Sequence, residues 1–220
     1  MLHHSDLPDP EEQACRHIKN MITARILRPG GGVAIEALAL AARVSPATMR
    51  GAAGRLVQEG WLTRLSPETA TVRPVTEYDI DNTAQTRLAL ENQIIERVMP
   101  RLMRKQFAYL DALVAQHERV AKVASAMEEF LGLDQGFHMY LAGLTGDSQI
   151  MRALRTVRDI NMRLGLDMER IKSRLIPCLN EHKALVEALR DADCAAAKQA
   201  MAEHIGNAFA AMKLSLRTAA

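Results

Sequence analysis

The sequence predicts a mainly α protein, an N-terminal winged helix-turn-helix followed by an all-helical antiparallel bundle, and three observations carry that prediction. Helix formers such as Ala, Leu, Met and Arg abound, while the aromatics number only eight: Trp61, three Tyr and four Phe. From Tyr78 onward apolar residues recur at helical spacing with few interruptions. Upstream, the helix-start signal Ser45-Pro46 lies between short helical runs and a pair of strand-like segments. With 220 residues, 48% of them apolar, the chain can build two modest cores. We expect a flexible start at 1–9, a winged unit at 10–75 and a helical unit at 76–220.

The first helix is read from Ile18, Met21, Ile22, Ile26 and Leu27, which keep helical spacing until Pro29 and three glycines stop them. A short second run covers Ile35 to Ala42, with Leu38 and Ala42 on one face, and Arg43-Val44 forms a brief turn. Ser45 then caps a third helix with Pro46 at its first position, since the serine oxygen accepts an orphan N–H and proline has none to lose. That helix should run to about Glu59, burying Met49, Ala53, Leu56 and Val57 and leaving Arg50 and Arg55 outside. Trp61 to Leu65 and Ala70 to Arg73, joined through Ser66-Pro67-Glu68-Thr69, read as a strand hairpin. Six helical runs follow, at about 77–103, 106–124, 126–143, 147–165, 168–190 and 193–217, with Pro100 and Pro177 each predicting a kink or a break.

The formal net charge of +2 conceals an asymmetry. Residues 15 to 76 carry nine Lys/Arg against three acids, whereas residues 77 to 220 balance at nineteen each. A basic head on a neutral body suggests that a polyanion meets only one end, and in a winged helix-turn-helix the third helix enters the DNA major groove. The candidate DNA-contacting residues are Arg43, Ser45, Ala47, Thr48, Arg50 and Arg55. A solvated basic face is the bland alternative, and Arg55 has Glu59 available at i+4.

Cys15, Cys178 and Cys194 are odd in number and lack C-x-x-C spacing, which speaks against a disulfide framework and fits a reducing cytoplasm. No run of about eighteen apolar residues and no basic leader followed by an apolar stretch occurs, so neither export nor membrane spanning is expected.

Among seven histidines, His3, His4, His17 and His117 give no positional signal. Asp134 and His138 are four apart, one turn along the same helical face, where both can bind one ion. His182 and His204 fall on the last two predicted helices, and an antiparallel pair can bring them to similar depth. One carboxylate with three imidazoles suits zinc, nickel or manganese rather than calcium or magnesium. From spacing alone, hydrogen-bonded core histidines account for the same pattern.

The chain resembles the GntR family of bacterial transcription regulators, and its C-terminal part resembles the all-helical FCD effector domain of the FadR subfamily. The first likeness rests on Leu27-Arg-Pro-Gly30, Leu38-Ala-Leu-Ala-Ala-Arg-Val-Ser45, Arg50 and Arg55-Leu-Val-Gln-Glu-Gly-Trp-Leu62. The second rests on Arg87-Leu-Ala-Leu-Glu91, Asp134-x-x-x-His138, Leu141-Ala-Gly-Leu-Thr-Gly-Asp147, Glu181-His182 and Met201-Ala-Glu-His204. The resemblance implies a homodimer that binds double-stranded operator DNA through its winged domains and responds to a small organic acid in the bundle. It implies Asp134, His138, His182 and His204 as ligands of a divalent transition metal, and Arg87 as an effector-binding guanidinium facing the cavity.

The winged half departs from the family pattern. Pro46 stands where relatives usually have arginine, Gly51 where they have glutamate, Glu36 replaces a common arginine, and Ser66-Pro-Glu-Thr-Ala-Thr71 lacks the usual wing glycines. Gly51 and Gly54 within a helix each cost about 1 kcal/mol relative to alanine. The expected function is a ligand-responsive regulator without enzymatic turnover. The competing classes are a metal-dependent enzyme acting on small carboxylates and an effector-binding module that has lost operator recognition.

Overall fold

The computed structural model describes residues 9–123, 127–163 and 168–218, so most of the expected flexible start at 1–9 lies outside the described residues. The chain divides between Val75 and Thr76 into two compact units. The first unit orders α1 (Pro10–Thr23), β1 (Gly32–Ala34), α2 (Ile35–Ala42), α3 (Pro46–Gln58), β2 (Leu62–Arg64) and β3 (Thr69–Val72).

Helix α1 begins earlier and ends earlier than its apolar spacing suggests. Asp9 caps it, its Oδ1 accepting from the Glu11 N–H at 3.0 Å, and Pro10 takes the first position. Past Thr23 the chain turns at Arg25, with φ 59°, and the Ile26 and Leu27 N–H groups both donate to the Met21 carbonyl. Leu27 still packs on the core from this turn, which is why its apolar character reads as helix although its backbone is not. The turn between α2 and α3 is left-handed at Arg43, φ 55°, and Ser45 Oγ accepts from the Thr48 N–H at 3.0 Å.

The expected hairpin supplies β2 and the central strand β3 of a three-stranded antiparallel sheet ordered β1-β3-β2. Strand β1 escapes sequence reading because three residues cannot show an alternation, and its pairing with β3, Val33 opposite Ala70, defines it. The core joins Ile18 and Ile22 of α1, Leu38 of α2, Met49, Ala52, Ala53 and Leu56 of α3, and Trp61 with Val72 at the sheet. Each of the larger side chains contributes about 1.5–3 kcal/mol on full burial.

Helix α4 (Glu77–Val98) opens the second unit with a capping box: Thr76 Oγ1 accepts from the Asp79 N–H and Asp79 Oδ2 from the Thr76 N–H. Pro100 breaks the helix into a single 3-10 turn, Met99–Arg101. Then come α5 (Arg104–Ala121), α6 (Met127–Leu144), α7 (Ser148–Arg163), α8 (Met168–Arg190) and α9 (Cys194–Thr218). Pro177, by contrast, sits inside α8 and the helix runs on through it. A tight turn with Ala192 at φ 55° folds α9 back on α8. Helix α9 also packs along α4, α5 lies against α8, and α6 lies against α4, α5 and α8, so these five helices enclose one interior.

Candidate metal centre and nucleic-acid interface

The apolar stripe of α4 runs Ile80, Thr83, Arg87, Glu91, Ile94, Ile95, Val98, which carries an arginine and a glutamate into the bundle at core positions. Helix α6 contributes Asp134 and His138, α8 His182 and α9 His204, and the last three are fully or almost fully buried. One ligand atom from each of these four residues lies within 4.8 Å of every other. Asp134 Oδ1 is 3.8 Å from His138 Nε2, 3.6 Å from His182 Nε2 and 3.7 Å from His204 Nε2, and the His138 and His204 Nε2 atoms are 3.1 Å apart.

These separations fit a shared ion. Donors about 2.1 Å from one centre lie about 3.0 Å apart when adjacent in an octahedron and about 3.4 Å in a tetrahedron. Both ring nitrogens of His182 are buried with no hydrogen-bond partner among the described residues, and such a loss costs about 1–3 kcal/mol per group unless something else satisfies it. An ion at Nε2 would satisfy one of the two. Burial lowers His182 well below the ordinary histidine range and brings His138 to about 4 despite the opposing charge of Glu91. Both imidazoles are therefore neutral at neutral pH, with lone pairs available to a cation. The sequence-predicted residues thus fit a metal, and among the described residues they form the larger of two such clusters, the other joining Cys178, Glu181 and His204.

Three neighbours went unrecognised in the sequence. His138 Nδ1 lies 2.9 Å from Glu91 Oε1, in ion-pair range though off a linear hydrogen-bond direction. His204 Nδ1 donates to Glu181 Oε2 at 3.0 Å, and Glu181 also accepts from Arg174 at 2.7 Å and Asn207 at 2.8 Å. Burial alone would raise the Glu181 carboxyl, but these donors hold it down at about 2. Such carboxylates fix the ring orientation and tautomer of a ligand histidine. The third is His117, fully buried with its ring stacked on His182 at 5.2 Å. Its signal was available: Leu110, Val114, His117 and Val120 share the buried stripe of α5, so this histidine replaces a core aliphatic. Arg87 is 2% exposed, its Nε 3.3 Å from Glu91 Oε1, and its Nη2 has no hydrogen-bond partner among the described residues.

At the other unit, Arg43, Ser45, Ala47 and Arg50 are exposed around the N-terminus of α3, while Thr48 is half-buried with its hydroxyl 2.8 Å from Ser45 Oγ. Arg55 stands apart from them: it pairs with Glu12 of α1 at 2.5 Å and with Glu59 at 3.2 Å. The two helix glycines face the far ends of flexible side chains, which can move aside, so packing does not demand glycine at either position. A Cβ at Gly51 would displace the Glu11 carboxylate of α1, and one at Gly54 would lie 3.3 Å from the Arg64 guanidinium on β2. No described helix is long and apolar enough to cross a membrane.

Comparison with known proteins matches residues 10–72 to the model of bacterial regulatory proteins of the gntR family and residues 82–207 to that of the FCD domain. The chain is 23% identical to the uncharacterized HTH-type transcriptional regulator YdhC of Bacillus subtilis over 203 residues, 92% of this chain and 91% of that one. It is 27% identical to the Nta operon transcriptional regulator of Aminobacter aminovorans over 132 residues, 60% of this chain and 62% of that one. Among solved structures, E. coli McbR/YncC aligns over 96% of this chain and 100% of its own at TM-score 0.74 and 17% identity. A GntR regulator from Rhodococcus sp. RHA1 aligns over 92% and 97% at TM-score 0.70 and 21% identity. The last two likenesses concern the fold.

Proposed function

The chain belongs to the gntR family of bacterial regulatory proteins and carries an FCD domain, and on that premise we propose that it is a cytoplasmic, ligand-responsive regulator that binds operator DNA as a homodimer. The observation that carries the ligand-responsive part is the convergence of Asp134, His138, His182 and His204, donated by three helices, within 4.8 Å of one another. These four residues would hold a divalent transition ion such as zinc, nickel or manganese. When bound, the ion supplies a Lewis-acid centre to which a small carboxylate is drawn.

The protein's own groups complete the pocket. Arg87, held at core depth by Glu91, offers its unpartnered Nη2 to a carboxylate oxygen. The carboxylates nearest the ligand set, Glu91 and Glu181, both engage ligand imidazoles, which supports sensing rather than turnover. In the winged unit, Arg43, Ser45, Ala47, Thr48 and Arg50 lie around the N-terminus of α3, which supports reading α3 as a recognition helix whose N-terminus would meet bases and phosphates. An effector alters DNA affinity only by binding one arrangement of the dimer better than another.

The test is fluorescence anisotropy of the metal-loaded protein on the DNA upstream of its own gene, at several salt concentrations and with a panel of small carboxylic acids. The reading requires sequence-specific binding at low salt that at least one acid changes. Binding indistinguishable from random DNA of the same length would overturn the operator part. Operator binding that no acid and no chelator alters would overturn the sensing part.

A further inference from the structure

We propose that His117 of α5 is a positioning residue for the metal ligand His182, holding by stacking the one ligand ring whose Nδ1 faces no carboxylate among the described residues. The inference rests on the metal-ligand reading above. His138 and His204 each face a carboxylate from Nδ1, Glu91 at 2.9 Å and Glu181 at 3.0 Å. His182 has no such neighbour: its Nδ1 is buried without a hydrogen-bond partner among the described residues. Two rings lie nearly parallel to it instead, Phe137 with centroids 4.3 Å apart at 17° and His117 with centroids 5.2 Å apart at 26°.

His117 is itself anchored. Its Nε2 lies 3.3 Å from the Phe130 carbonyl oxygen, and its ring rests 4.8 Å from the Phe130 ring. With Nε2–H donating to that carbonyl, the ring cannot turn about χ2 without losing the bond, so it presents a fixed flat face to His182. The position is otherwise one for an aliphatic residue on the α5 stripe, and a histidine there buries Nδ1 without a partner, a penalty that leucine or valine avoids. Its effect on His182 offsets that penalty. A ligand ring already held in plane loses less rotational freedom when an ion binds, and neighbours that orient a ligand typically change metal affinity 10- to 100-fold.

The experiment measures zinc affinity by chelator competition and the visible d–d spectrum of the cobalt-loaded full chain, for wild type, His117→Phe, His117→Ala and Phe137→Leu. His117→Phe keeps a flat ring but loses the bond to the Phe130 carbonyl, and we expect its affinity to lie between wild type and His117→Ala, with a cobalt band closer to wild type. His117→Ala is expected to bind about 10- to 100-fold more weakly with a shifted band. Phe137→Leu, on the other stacking partner, should shift in the same direction. Wild-type affinity and spectrum in His117→Ala would overturn this inference alone, as would His117→Phe no better than alanine. Wild-type protein that takes up no ion overturns this inference together with the ligand reading. Should His117→Ala fail to fold, equal affinities of His117→Phe and Phe137→Leu would overturn the stacking role.

Discussion

His138 and His204, separated by 66 residues of chain, bring their Nε2 atoms to 3.1 Å. At that distance only one of the two nitrogens can carry a proton toward the other, and with Asp134 Oδ1 3.7–3.8 Å from both, the arrangement favours two bare lone pairs facing a cation.

The first prediction concerns metal content. Elemental analysis of protein purified without a polyhistidine tag should find about one divalent ion per chain, and His138→Ala or His182→Ala should lose most of it. Adding ion at about 100 times its Kd should stabilise wild type by about 2.7 kcal/mol, and neither variant. Equal melting temperatures with and without ion in all three proteins would return the histidines to a purely structural role.

Glu181 orients His204 without being one of the four clustered ligands, so its contribution should appear as affinity rather than occupancy. Glu181→Gln, which lacks the full charge that polarises the ring, should weaken zinc binding by roughly 10-fold or more while saturating concentrations still load the site. Chelator competition reads this directly, and an unchanged Kd would contradict it.

The two helix-three arginines should separate in a DNA titration. Arg50 is exposed near the Ser45 cap, and Arg50→Ala should weaken operator binding and reduce the salt slope by about one. Arg55 spans Glu12 and Glu59 with its side chain 42% exposed, so Arg55→Ala should leave DNA affinity within about 3-fold and cost at most about 1 kcal/mol of stability. A loss of affinity in Arg55→Ala matching that of Arg50→Ala would assign it to the DNA surface instead.

Asp147 caps α7, accepting from the Gln149 and Ile150 N–H groups at 2.8 and 3.3 Å, and pairs with Arg97 at 2.9 Å. The two N–H donors, with the arginine, hold its carboxyl below the ordinary aspartate range. A carboxylate whose folded pKa is depressed stabilises the fold above its unfolded pKa, about 3.9, and that contribution disappears as pH falls through the folded value. Asp147→Asn should therefore melt lower than wild type at pH 7, with the gap closing below about pH 4. A gap independent of pH would show that the charge is irrelevant there.

Much of the fold was legible because its signals are local. The Ser45-Pro46 cap, the Pro100 break and the stripe of α4 each depend on residues within a few positions of one another. Pro177 shows the limit of that locality: the same residue type that breaks α4 leaves α8 continuous, because packing against α9 and α5 maintains the helix around it. Strand β1 shows it too, since three residues become a strand only by pairing with β3.

For the candidate site, the chain by itself determined the donor types and the i,i+4 placement of Asp134 and His138, since one turn of helix fixes that face. Only the tertiary structure decided which distant groups complete it. Glu91 comes from α4, Glu181 from α8 and His117 from α5, and each meets its imidazole through helix packing that no local spacing encodes. The physical reason is one of range: periodicity sets which face a residue occupies on its own helix, whereas the partner across the interior is set by how side chains interlock between helices.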